Sequence, residues 1–210
     1  MKDQDLRLAK LLVLVNGAVP AALLGWDAWR HQLGANPVND AILTTGLLAL
    51  IFLVLTLAVT PLRKITGLNW IIFARRTFGL YAFFYALLHF LVFFFLDRQG
   101  NLSSTVSEMI KRKYLIVGGT ALLVMGPLAV TSTNAMIKRL GGKRWRALHR
   151  LAYVAAIAGA AHYYMQAKKD VRQPLAFAAV LTLLLGWRWF DHWRNAKPAP
   201  AAAARPTPPA

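Results

Sequence analysis

No cysteine occurs in the 210 residues. Disulfides, iron–sulfur clusters held by thiolates and covalent c-type heme attachment are thereby excluded, and any redox centre has to be held noncovalently, by nitrogen. Acidic residues are scarce, with 8 Asp and Glu against 25 Lys and Arg, for a formal net charge of +17. Also missing is a polar stretch long enough to fold by itself. The longest connections between apolar runs, about 97–113 and 132–148, fall far below the size of a folding unit.

What is present is hydrophobic sequence, 57% of the chain. It falls into runs of roughly 17 to 23 residues separated by short basic loops, the length at which an α-helix crosses a bilayer. Six spans are predicted, near 9–28, 42–60, 77–96, 114–131, 149–166 and 174–190. The expected fold is an all-α polytopic membrane helix bundle occupying residues 1–195. Residues 196–210, rich in Pro and Ala, are expected to form a disordered tail. The first run resembles a leader peptide at its start, but its continuation through Leu23, Leu24 and Trp26 favours a retained helix, with Asn16 and Pro20 as a local irregularity satisfied by neighbouring helices.

Eight of the 25 basic residues (Arg30, Arg98, Lys111, Arg112, Lys113, Lys168, Lys169 and Arg172) fall in segments on one side of such a bundle, which leaves 17 on the side of the termini. Positive charge is retained in the cytoplasm during insertion, so both termini are predicted to be cytoplasmic. The basic residues flank spans and contact the lipid bilayer rather than forming one face, so nucleic acid is not the expected partner.

Two histidines stand out. His89 lies 12 residues and His162 13 residues into their runs from the predicted cytoplasmic ends, hence ~18 and ~20 Å deep. Buried membrane histidines are costly and tend to mark function. Two neutral imidazoles at one depth suit the axial positions of a b-type heme. Small residues make room beside them: Ala82 and Ala86 near His89, and Ala155, Ala158 and Gly159 near His162. Two other readings stay open. Each histidine can simply hydrogen-bond across helices at a small-residue contact. Alternatively the pair serves metal transport, against which stands the absence of any carboxylate from the two histidine-bearing runs.

His149 sits at the cytoplasmic mouth of the fifth run, 13 residues before His162, which on one continuous helix points the two rings about 140° apart. It is a candidate for a second heme, for which His192 is the spare partner, or for a quinone or flavin site. Arg75 and Arg76 at the mouth of the third run are candidates for heme propionates, a flavin phosphate or an anionic quinone, with topology anchoring as the alternative. His31 is expected in solvent. Tyr163, Tyr164, Trp187, Trp189 and Trp193 are expected in interfacial aromatic belts.

The stretches LTLAVTPLRKITG, RRTFGLYAFFYALLHF, KRKYLIVGGTALLVMGPLAVTS and RLGGKRWRALHRLAYVAAIAGAAHYYMQAKKD, in this order, resemble the MsrQ (YedZ) family of the ferric-reductase-like transmembrane superfamily. The resemblance runs from about residue 36 to 190. It implies a b-heme subunit of the bacterial inner membrane, with FMN associated, that takes electrons from the respiratory quinone pool or a flavin reductase. The implied acceptor is MsrP, a periplasmic molybdopterin enzyme that reduces methionine sulfoxide in damaged proteins. The family's heme histidines correspond to His89, His149 and His162. Arg76 stands where the wider superfamily has a fourth histidine. The fused flavin and nicotinamide domain of that superfamily has no counterpart here, so electrons are expected from a quinol or a separate flavoprotein. A non-redox structural or assembly subunit, or a small transporter, is the competing class.

Overall fold

The computed structural model describes residues 3–167 and 170–195, so the predicted tail lies outside the described residues. Within them the secondary structure is helical: α1 (Asp3–Trp29), α2 (Pro37–Thr66), α3 (Ile72–Val92), α4 (Leu102–Lys111), α5 (Lys113–Val130), α6 (Asn134–Leu140), α7 (Gly142–Leu148), α8 (Leu151–Gln166) and α9 (Arg172–Asn195). A 3₁₀ turn, Asn69–Ile71, leads into α3, and a π-helical turn, Phe93–Asp97, carries it past its last α turn.

Local chemistry sets several boundaries. Asn36 caps α2 by accepting from the Asn39 N–H at 3.1 Å, Pro37 occupies the first turn, and Gly67 at φ 73° closes the far end. The predicted loop 97–113 is instead largely the helix α4, because Asn101 accepts from the Ser104 N–H at 2.9 Å and starts it. The connection 132–148 likewise holds α6, capped by Thr133, and α7.

Among the described residues, five helices are long and apolar enough to span a bilayer: α1, α2, α3 with its flanking turns, α5 and α9. The fifth predicted run departs from this. Its helix, α8, has 16 residues, or ~24 Å of rise, against a hydrocarbon core of about 30 Å. Helix starts only at Leu151, because His149 and Arg150 belong to the turn that ends α7. The 140° separation expected for His149 and His162 presumed one continuous helix and does not apply.

Two hairpins dominate the packing. α2 lies against α3 and α5 against α8, with α1 added on α3 and α9 on α8 and α2. The core lies where they meet and pairs bulky side chains of α2 (Leu50, Phe52, Leu53, Leu57) with small ones of α3 and α8 (Ala82, Ala155, Ala156, Ala160). Small residues let helices approach closely in a lipid environment where hydrophobicity does not drive association. Many large apolar side chains face outward, Leu123 at 78% and Leu183 at 73% exposure among them, as a lipid-facing surface requires.

Two polar clasps fix the outer helices. The buried Tyr85 hydroxyl donates to the Gly17 carbonyl at 2.8 Å and accepts from the Ala21 N–H at 3.1 Å, entering the hydrogen-bond ladder of α1 beside Pro20. Tyr81 donates to the Leu14 carbonyl. Both tyrosines of α3 thus bond α1 on either side of Asn16, whose own side chain donates to the Leu12 carbonyl at 2.8 Å within α1. On the other side, Pro61 has no N–H for the carbonyl of Leu57, and Arg188 of α9 donates to that oxygen at 2.7 Å while also reaching the Tyr153 hydroxyl at 2.9 Å.

Candidate functional site

His89 near the end of α3 and His162 in α8 meet across a cavity of about 350 Å³ bounded by α2, α3, α5 and α8. Their ring centroids are 6.0 Å apart, with the ring planes at 83°. An iron ligated from both sides through bonds of about 2.0 Å requires ring centres roughly 6 Å apart.

Each ring is oriented by a backbone carbonyl of the neighbouring helix. His89 Nδ1 lies 2.8 Å from the carbonyl oxygen of Ile42 on α2, and His162 Nδ1 lies 2.7 Å from that of Tyr114 on α5. A carbonyl oxygen only accepts, so Nδ1 carries the proton in both rings and donates it. In the neutral imidazole the lone pair then sits on Nε2. Neither Nε2 makes a hydrogen bond among the described residues. Metal-bound histidines share this arrangement, the nitrogen away from the metal donating to a carbonyl that fixes tautomer and ring angle, and so do histidines that only fasten helices.

Of the small residues expected beside the histidines, Ala86, Ala155 and Gly159 line the cavity, while Ala82 lies in the core. Gly46 of α2 and Gly118 of α5 line it too, and both lie next to an imidazole. One end of the cavity is polar. Arg98 pairs with Asp97 at 2.7 Å and approaches Glu108 at 3.8 Å, while Arg112 pairs with Glu108 and reaches the Tyr114 hydroxyl at 3.3 Å. Arg98 and Arg112, which in the sequence stand only among the basic residues that flank the spans, line the site.

His149 is not part of this cavity. Its ring stacks on Trp145 at 3.9 Å, and its Nε2 lies 3.1 Å from the Thr131 hydroxyl. Arg75 and Arg76 also lie elsewhere, and they separate from one another. Arg76 is exposed and donates to the Asn134 side chain at 2.8 Å, tying α3 to α6. Arg75 is half-buried within electrostatic reach of Arg188, Tyr153 and His149. No hydrogen bond or ion pair joins His192 or His31 to either cluster, and His31 is exposed. Tyr163 lines the cavity and donates to the Gln173 side chain at 2.7 Å, while Tyr164, Trp189 and Trp193 are exposed.

Among the described residues, no group of three or more His, Asp or Glu side chains converges. Two imidazoles thus share one cavity inside a bundle of membrane-length helices. In agreement, residues 43–160 match the family described as ferric reductase like transmembrane component. The chain is 43% identical over 199 residues, 94% of its length and 92% of the relative's, to the protein-methionine-sulfoxide reductase heme-binding subunit MsrQ of Ralstonia nicotianae. It is 42% identical over 207 residues, 96% of its length and 93% of the relative's, to the MsrQ of Xanthomonas euvesicatoria. The MsrQ of Rhodospirillum rubrum is 44% identical over 188 residues, 90% of each chain. The chain belongs to the ferric-reductase-like transmembrane family, within its MsrQ group.

Proposed function

We propose that this chain is a b-heme electron-transfer subunit of a protein-methionine-sulfoxide reductase system, with His89 and His162 as the axial ligands of one heme. The observation that carries the reading is the opposed pair of imidazoles, 6.0 Å apart, each with Nδ1 bonded to a carbonyl and Nε2 left for the cavity. Two nitrogen donors suffice for heme because the macrocycle supplies four more. A bound heme b supplies one-electron chemistry between ferric and ferrous iron. The protein's part is to hold the rings at the required spacing, to exclude water with the surrounding apolar helices, and to offer Arg98 and Arg112 as cations for the carboxylates of the macrocycle.

The wider assignment follows the resemblance and the positive charge. The bundle crosses the inner membrane six times, α8 included, with both termini in the cytoplasm, and the Arg98 end of the cavity faces the periplasm. The acceptor there is the molybdopterin subunit MsrP. The donor is a quinol or reduced flavin, FMN included, at the opposite end near Arg75 and His149. Arg76, bonded to Asn134, has a structural part in this scheme.

A second reading rests on the same hydrogen bonds: His89 and His162 also fasten α3 to α2 and α8 to α5, as non-redox polar contacts would. A reduced-minus-oxidised spectrum of protein purified after heme-replete expression separates the two. A b-type signal supports the electron-transfer reading, and its absence leaves only the fastening role.

A further inference from the structure

Gly46 and Gly118 occupy equivalent places in the two hairpins. Gly46 stands four residues after Ile42, whose carbonyl holds His89, and Gly118 stands four residues after Tyr114, whose carbonyl holds His162. The intervals from carbonyl to histidine, 47 and 48 residues, are almost the same. Residues i and i+4 stack on one helix face, and the Cα–Cβ bond leans toward the N-terminus. A Cβ at i+4 therefore projects over the flank of the carbonyl at i, where an imidazole has to lie to reach it.

The measured space agrees. A Cβ on Gly46 would fall 2.9 Å from His89 Nδ1 and 3.0 Å from its Cε1, and one on Gly118 would fall 2.6 Å from His162 Nδ1, 2.8 Å from Cε1 and 3.1 Å from Cγ. The approaches below 3.0 Å are ones that packed Cβ atoms essentially never make. The imidazoles are short, stiff side chains and their Nδ1 atoms are already engaged, so relief means tilting the ring off its carbonyl. The helical glycines Gly126 and Gly186 behave differently, for a Cβ on either meets nothing within 4 Å.

We infer that Gly46 and Gly118 are positioning residues of the cofactor site, notches that let each imidazole lie flat against a helix, donate Nδ1–H to the carbonyl one turn earlier and aim Nε2 at the centre of the cavity. The notches set ligand angle and basicity from behind, without touching the cofactor's iron. This inference rests on the heme reading above and is tested separately from it.

The test compares the full-length protein in detergent with Gly118→Ala, Gly46→Ala and, as a control on the same helix as Gly118, Gly126→Ala. Apo-protein is titrated with hemin, coordination is read from the low-spin ferric resonance and from carbon monoxide binding to the ferrous form, and the midpoint potential is measured. Gly118→Ala should weaken hemin binding about 10- to 100-fold, the range for losing an outer-shell partner of a ligating histidine, and open one axial position to carbon monoxide. Its residual six-coordinate fraction should have a higher potential, since a ring without its carbonyl partner is a poorer donor. Gly46→Ala should do the same to a lesser degree, and Gly126→Ala should match wild type. Wild-type protein that takes up no bis-histidine heme defeats the heme reading itself. Wild-type protein with the expected signal, alongside Gly118→Ala and Gly46→Ala variants of unchanged affinity and coordination, overturns the notch assignment. So does a failure of both variants to accumulate in the membrane when Gly126→Ala accumulates normally, because that assigns the glycines to helix packing.

Discussion

At one end of the bundle His89 and His162 spend Nδ1 on backbone carbonyls and keep Nε2 for a cavity, whereas at the other end His149 gives its Nε2 to the Thr131 hydroxyl and lays its ring on Trp145. The cations are arranged differently too. Around the histidine pair, Arg98 and Arg112 are balanced by Asp97 and Glu108. Around His149, Arg75 and Arg188 lie within reach of each other, and Arg188 Nε is buried without a hydrogen-bond partner among the described residues. The number of histidines present therefore says less than which nitrogen each has left. One end leaves two imidazole nitrogens without a bonded partner among the described residues, while the other joins helices and concentrates positive charge while doing so.

The largest effect expected is from the pair. His89→Ala or His162→Ala should abolish the b-type difference spectrum, because one imidazole cannot clamp the iron from both sides, and a variant that kept a six-coordinate low-spin signal would break the contrast outright. Next is the clasp at the Arg75 end. Arg188→Met removes both bonds to Leu57 and Tyr153 and strands a carbonyl that Pro61 cannot serve, so thermal unfolding in detergent should show a loss of about 1–3 kcal/mol with heme content per folded protein retained. Tyr85→Phe removes the hydroxyl that bridges Gly17 and Ala21, and should cost ~1 kcal/mol by the same measurement, with α1 released first to added protease. The smallest change expected in the heme signal is from His149→Ala, which should spare most of it. Loss of the whole signal on that change would join the two ends into one site.

Much of the frame was legible because bilayer physics writes itself into sequence. Apolar runs locate five of the long helices with ends off by up to six residues, and isolated basic side chains in such runs single out His89 and His162. Their partners were not legible. Ile42 and Tyr114 act through main-chain oxygens, which every residue has, so no side chain announces the contact. Gly46 and Gly118 carried a readable hint, glycine one helical turn after a carbonyl in the facing run, but room was sought only on the histidines' own helices. α4 has one signal in the sequence, the cap residue Asn101, but it lacks the long apolar run that marks the spans. At the break at His149 and Arg150 the His149 ring stacks on Trp145 and lies beside Thr131, whose carbonyl accepts from the Trp145 indole, and the contacts to Thr131 join distant parts of the chain.

The two carbonyls that orient the imidazoles do not rest on equally firm ground. Ile42 lies in the second turn of a helix braced by Asn36 and Pro37. Tyr114 is the second residue of α5, whose first turn has no side-chain cap. Helix ends fray before their middles. On warming, α5 should unwind from that end and let go of His162 while His89 is still seated, so an uncapped turn sets which side of the cavity opens first.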